Sequence, residues 1–122
     1  MPGGFCCDAW RVRCLIVDDN PRFLEAAQAL LEREGFHVLL ARSSAEAFER
    51  VDAARPDVVL VDIDLGEESG FELTRTLADE RVILISTHAE EDFEELIAQS
   101  PAAGFIPKEA LSAEAISATL GR

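Results

Sequence analysis

Asp57-Val58-Val59-Leu60-Val61-Asp62 runs through four consecutive apolar residues into a carboxylate. An uninterrupted apolar run of this kind describes a strand covered on both faces, as in a parallel sheet sandwiched between helices. Working outward, the same kind of segment recurs. Val12 to Val17, His37 to Ala41, Val82 to Ile85 and Gly104 to Pro107 are each rich in Val, Ile, Leu or Phe. Between these runs the apolar residues take up the spacing of helices.

Asn20 followed by Pro21 starts a first helix, on which Phe23, Leu24, Ala27, Leu30 and Leu31 share a face before Gly35 stops it. Ser43 with Glu46 three residues later reads as a capping box. It opens a second helix with Ala47, Phe48, Val51 and Ala54 turned inward, ended by Pro56. A third helix after Gly70 buries Phe71, Thr74 and Leu77, and a fourth from about Ala89 buries Phe93, Leu96 and Ile97. Ser112 caps a short fifth with Ala115, Ile116 and Leu120. The order β-α, five times over, predicts an α/β three-layer sandwich: a five-stranded parallel sheet with helices on both faces and right-handed crossovers. A chain of 122 residues fits one domain. Residues 12–122 are expected to form it after a poorly ordered N-terminal extension, 1–11, and no repeat, linker or second domain is expected.

The composition narrows the function. With 24 acidic against 11 basic residues the formal charge is −13, which repels a phosphate backbone and argues against direct nucleic-acid binding. No apolar run approaches a membrane span, and the first residues lack the features of a secretory signal, so a cytoplasmic protein without a membrane partner is expected. Cys6, Cys7 and Cys14 have no partner at metal-ligand spacing and are read as reduced thiols. Trp10 is expected to pack against the body.

In sheets of this type, ligands bind beyond the carboxyl ends of the strands, where the strand order reverses. The least ordinary residues of the chain fall there. The first strand ends in Asp18-Asp19 and the third in Asp62, so three carboxylates converge if those strands are neighbours. Like charges this close raise one another's pKa unless a cation neutralises them. An all-oxygen donor set suits a hard ion, Mg²⁺ or Mn²⁺. Ser86, just after the fourth strand, and Lys108, just after the fifth, add a hydroxyl and an ammonium at the same edge. A carboxylate nucleophile, a metal, a fixed lysine and a hydroxyl donor together make a phosphoryl-transfer site.

Over about residues 12 to 120 the chain resembles the receiver domain of two-component response regulators, a flavodoxin-like fold with strand order 2-1-3-4-5. The resemblance implies that Asp62 is the phosphoacceptor and that Asp18, Asp19 and Asp62, with the backbone carbonyl of Asp64, bind the metal. It also implies that Ser86 is the switch hydroxyl, Phe105 the switch aromatic and Lys108 the catalytic lysine. A sensor histidine kinase or a histidine phosphotransfer protein would then be the donor. The face built from the fourth helix, fifth strand and fifth helix would signal to a protein partner or a second copy. Such a protein is not a conventional enzyme: it catalyses its own phosphorylation and dephosphorylation at Asp62.

Some positions depart from the common pattern. Gly66 stands where proline is frequent, which is expected to loosen the loop after Asp62. Lys108-Glu109-Ala110-Leu111 resembles the branch that usually carries helix-turn-helix outputs. Asp64, Thr87 and His88 flank the mouth of the site, where they are expected to tune access and phosphoryl lifetime. Three rival readings stand beside this one. Val59 to Leu65 also resembles the nucleophile motif of haloacid-dehalogenase-type phosphatases, in which Asp64 would be the acid, although the acidic pair here lies upstream. Some receiver-like modules bind proteins without phosphorylation, but they usually lack part of the acid and lysine set. A flavodoxin-like cofactor binder needs a donor-rich phosphate loop where this chain has Asp18-Asp19.

Overall fold

Parity along the strands builds the architecture. The computed structural model describes residues 12–121; the expected extension, with Cys6, Cys7 and Trp10, lies outside the described residues. The main elements are β1 (Arg13–Val17), α1 (Pro21–Arg33), β2 (His37–Ala41), α2 (Ser44–Ala54), β3 (Val58–Asp62), α3 (Gly70–Thr76), β4 (Val82–Ser86), α4 (Glu94–Gln99), β5 (Gly104–Pro107) and α5 (Ala113–Thr119). The five strands pair in parallel in the order β2-β1-β3-β4-β5, so β1 and β3 are neighbours. On one face Cys14, Ile16, Val58, Leu60, Ile83, Ile85 and Ile106 meet Leu24, Ala27 and Leu31 of α1 and Ile116 of α5. On the other, Leu15, Val17, Val59, Val61, Val82 and Leu84 meet Ala47 of α2 and Phe71 and Leu73 of α3. Alternate residues of each strand thus feed two cores, which is why β3 is apolar throughout. Burial in the first of these cores pushes the Cys14 thiol up to about 12, so it is an inert packing group.

The expected caps are present. The Asn20 side chain accepts from the N–H groups of Arg22 and Phe23, and Ser112 Oγ accepts from Ala115 N–H at 2.9 Å. Ser43 Oγ accepts from Glu46 N–H, while Glu46 reaches back to Arg42 N–H, one residue before the cap. The second helix closes at Arg55, in the left-handed region at φ 50, ahead of Pro56.

Two expected core residues are exposed. Phe48 is 44% and Leu96 51% exposed. Each lies one residue, about 100° of helix, from a residue that packs: Ala47 in α2 and Ile97 in α4. The fourth helix also begins later than expected. Glu90–Asp92 forms a 3₁₀ turn, and α4 starts at Glu94. Five acidic residues between Glu90 and Glu95 repel one another at helical spacing and disfavour a longer α-helix there. Nor does Gly66 leave an open loop: Asp64–Leu65 and Glu68–Ser69 pair as a small antiparallel hairpin around it. Gly66 has φ +77, which proline cannot adopt.

Gly70, the first residue of α3, fits against the main chain beside Asp62. Its N–H donates to the Ile63 carbonyl at 2.9 Å. A methyl group there would overlap the Asp62 carbonyl oxygen and lie 2.8 Å from Ile63 Cα. Gly70→Ala is therefore expected to lower stability by about 1–3 kcal/mol through forced displacement of backbone. An unchanged urea midpoint in this variant would show that α3 does not press on the Asp62 segment.

Candidate functional site

Main-chain bonds that continue beyond the strands hold the site. Asp18 N–H donates to the Ala41 carbonyl and Ile63 N–H to the Ile85 carbonyl, each at 3.0 Å, so the ends of β1 and β3 are clamped by their neighbours. Asp18, Asp19 and Asp62 then project from adjacent strand ends, and one oxygen of each lies within 4.8 Å of the others. Asp18 is completely buried, Asp62 nearly so, and Asp19 is exposed.

Lys108 reaches in from the end of β5. Its Nζ lies 2.6 Å from Asp18 Oδ2 and 3.2 Å from Asp62 Oδ2. Asp18 Oδ1 accepts from Asn20 N–H at 2.9 Å and Asp62 Oδ1 from Asp64 N–H at 3.2 Å. Asp18 Oδ2 is paired with the ammonium alone. Burial first, and the Asp18 charge second, raise the Asp62 carboxyl from 3.8 to about 6, against the opposing pull of Lys108. The Lys108 ammonium is depressed by burial, yet its hydrogen bond and charge interactions with Asp18 and Asp62 outweigh this and hold its pKa above the ordinary value.

This donor set fits a hard divalent cation. The three clustered groups are carboxylates, all hard oxygen donors, and the single ammonium leaves the cluster acidic. Gly66 helps to shape it, because a Cβ there would lie 2.8 Å from Asp19 Oδ2.

Ser86 ends β4 buried, and its Oγ accepts from His88 N–H at 2.9 Å. As the acceptor in that bond the hydroxyl keeps its own proton. Thr87 and His88 are exposed. The His88 ring meets Phe93 edge-on at 5.8 Å, and Phe93 lies 6.2 Å from Phe71. Phe105 is half-buried against the α2–α3 side of the sheet. The Asp64 carboxylate accepts from Gly66 N–H at 3.1 Å, a turn-forming contact that sequence reasoning missed. Also unforeseen is Phe23, whose ring centroid is 4.4 Å from Lys108 Nζ.

Residues 14–120 match the family model of the response regulator receiver domain. The chain belongs to that family. Polar-differentiation response regulator DivK of Brucella ovis is 33% identical over 100 residues, 77% of this chain and 81% of its own length. Heme response regulator HssR of Staphylococcus saprophyticus is 37% identical over 67 residues, which cover 55% of this receiver but 30% of HssR. A Burkholderia pseudomallei response regulator, solved with a phosphorylated aspartic acid, calcium ion and citrate, aligns at TM-score 0.78 and 26% identity, over 88% of this chain and 66% of its own. Among the described residues no helix is long and apolar enough to cross a membrane.

The raised Asp62 carboxyl has a consequence for stability. Between about pH 4 and pH 6 the folded receiver keeps a proton that the unfolded chain has released, so stability falls as pH rises through that window. Asp62→Asn removes this contribution. Urea unfolding of the metal-free protein across the window should show the parent losing stability relative to the variant as pH rises. Parallel curves would mean that Asp62 titrates normally.

Proposed function

We propose that this receiver is a phosphorylation switch with Asp62 as phosphoacceptor. A carboxylate oxygen of Asp62 attacks phosphorus. The bond from phosphorus to the histidine nitrogen of a kinase or phosphotransfer protein, or to the acyl oxygen of a small donor, breaks as the aspartyl phosphate forms. Asp18, Asp19 and Asp62, with the Asp64 carbonyl, would hold Mg²⁺ or Mn²⁺, which supplies charge neutralisation for the phosphoryl oxygens when bound. Lys108 neutralises charge from the other side, and Ser86 offers its free proton to a phosphoryl oxygen. Asp64, Thr87 and His88 border the opening and tune how fast water removes the group.

The observation that carries the reading is the buried Asp62 carboxylate, paired with Lys108 beside Asp18, in a family member. The phosphorylated aspartic acid and calcium ion of the Burkholderia pseudomallei relative support it. For Ser86 to turn to the phosphoryl group, its bond to His88 N–H must be exchanged, and Phe105 would follow inward. Such a change biases the α4-β5-α5 face toward one of two packings that a partner reads.

The charge of that face favours one class of partner. Glu90, Glu91, Asp92, Glu94, Glu95, Glu109 and Glu114 are exposed, and no Lys or Arg occurs from Val82 to Pro107. Symmetric docking of two copies would bring like charges together, so a basic partner suits it better than a second copy. Such a switch would work in the cytoplasm, without contact to nucleic acid or membrane.

Incubation with Mg²⁺ and a small acyl phosphate should add one phosphoryl group by intact mass, with no gain in Asp62→Asn, and the phosphorylated protein should sediment as a monomer. No gain in a folded, metal-loaded parent would favour the phosphorylation-independent module or a donor restricted to one kinase. A dimer formed on phosphorylation would assign the face to a second copy.

A further inference from the structure

Lys108 is held on more sides than its two carboxylates provide. Besides Asp18 Oδ2 at 2.6 Å and Asp62 Oδ2 at 3.2 Å, its Nζ has the Phe23 ring at 4.4 Å from the centroid. That is inside the range of about 6 Å in which an aromatic face attracts a cation, an attraction that strengthens when water is excluded. The lysine side chain retains 11% of its exposure.

The ring is set by the same turn that places the acids. Asn20 N–H donates to Asp18 Oδ1 at 2.9 Å, and the Asn20 side chain accepts from Arg22 N–H at 3.0 Å and Phe23 N–H at 3.4 Å. Asp18, the α1 cap and Phe23 are therefore joined through one hydrogen-bonded turn. A lysine is a point charge on a flexible four-carbon stem, able to satisfy the same carboxylates from several rotamers. An aromatic face on a remaining side removes some of that freedom.

We propose that Phe23 is a positioning residue for phosphoryl transfer: its ring face holds the Lys108 ammonium between Asp18 and Asp62, in the place where it must meet the incoming phosphoryl oxygens. This rests on the reading of Asp62 as phosphoacceptor. Phe23 also packs against the core between the sheet and α1, so a merely structural role has to be separated from it. The separation lies in the kind of side chain. Phe23→Met keeps an apolar group of similar reach without a ring, whereas Phe23→Tyr keeps the ring.

The test compares both variants with the parent in the full chain by three readouts: urea midpoint, phosphorylation rate from a small acyl phosphate with Mg²⁺, and the NMR shift of the Lys108 ε-methylene protons. The parent and Phe23→Tyr should show upfield ring-current shifts at Lys108, and Phe23→Met should not. Phosphorylation of Phe23→Met should be about three- to tenfold slower, matching the loss of a partly desolvated cation–π contact, with Phe23→Tyr within about twofold of the parent. A parental rate in Phe23→Met, an equal slowing in both variants, or an unshifted Lys108 in the parent overturns the proposal. Should Phe23→Met fail to fold, Phe23→Leu replaces it as the ringless variant, with the same slowing and lost shift expected and a parental rate overturning the proposal. A parent that shows the ring-current shift but takes no phosphoryl group overturns the reading of Asp62 and leaves the contact standing.

Discussion

Two carboxylates, Asp18 and Asp62, are buried side by side at the carboxyl edge of the sheet with one ammonium between them. An arrangement of this kind does little for stability: an intact buried pair roughly balances its own desolvation, and losing one partner costs about 3–5 kcal/mol. Here two acids share one lysine, so the balance is poorer still. Much of the surrounding structure answers to that constraint. The Ala41 and Ile85 carbonyls clamp the two strand ends, Asn20 and Asp64 donate main-chain bonds to the carboxylates, and Gly70 lets α3 close against the Asp62 backbone. Charge that is costly to keep, yet braced by its surroundings, agrees with the proposed role of Asp62 as phosphoacceptor.

From Ser86, at the end of β4, a contact path leads to the outer surface. Ser86 accepts from His88 N–H, His88 touches Phe93, Phe93 neighbours Phe71, and Phe93 heads α4. A change in the Ser86 hydroxyl thus has a short physical route to the helix that carries exposed Leu96 with Glu94 and Glu95, next to the acidic turn Glu90–Asp92. The short 3₁₀ turn at Glu90–Asp92 and the six-residue α4 have no fully buried side chain, so little packing holds them in place.

Sequence reasoning reached the layers, the strand ends and the clustered acids because each follows from a short-range signal. An apolar run into Asp62 needs only its neighbours to be read, and β3's burial on both faces explains the run. What escaped depends on rotation or on distance. Phe48 and Leu96 miss the core by a single helical step, which an apolar count cannot resolve. The Phe23–Lys108 contact joins α1 to the end of β5, and Gly70's role appears only when α3 is laid on β3. Gly66 was visible as a departure, but its effect ran toward a tight hairpin against Asp19, because φ +77 admits a turn that proline forbids.

In the proposed switch, Asp62 is a desolvated carboxylate that would take up a cation. Its most direct measurement is the titration of the Asp62 side-chain carboxyl carbon by ¹³C NMR, in metal-free protein and again with Mg²⁺. The expected midpoint without metal is about 6, moving downward when Mg²⁺ is added, because the ion binds the ionised form. A midpoint at the ordinary 3.8, unmoved by Mg²⁺, would contradict it.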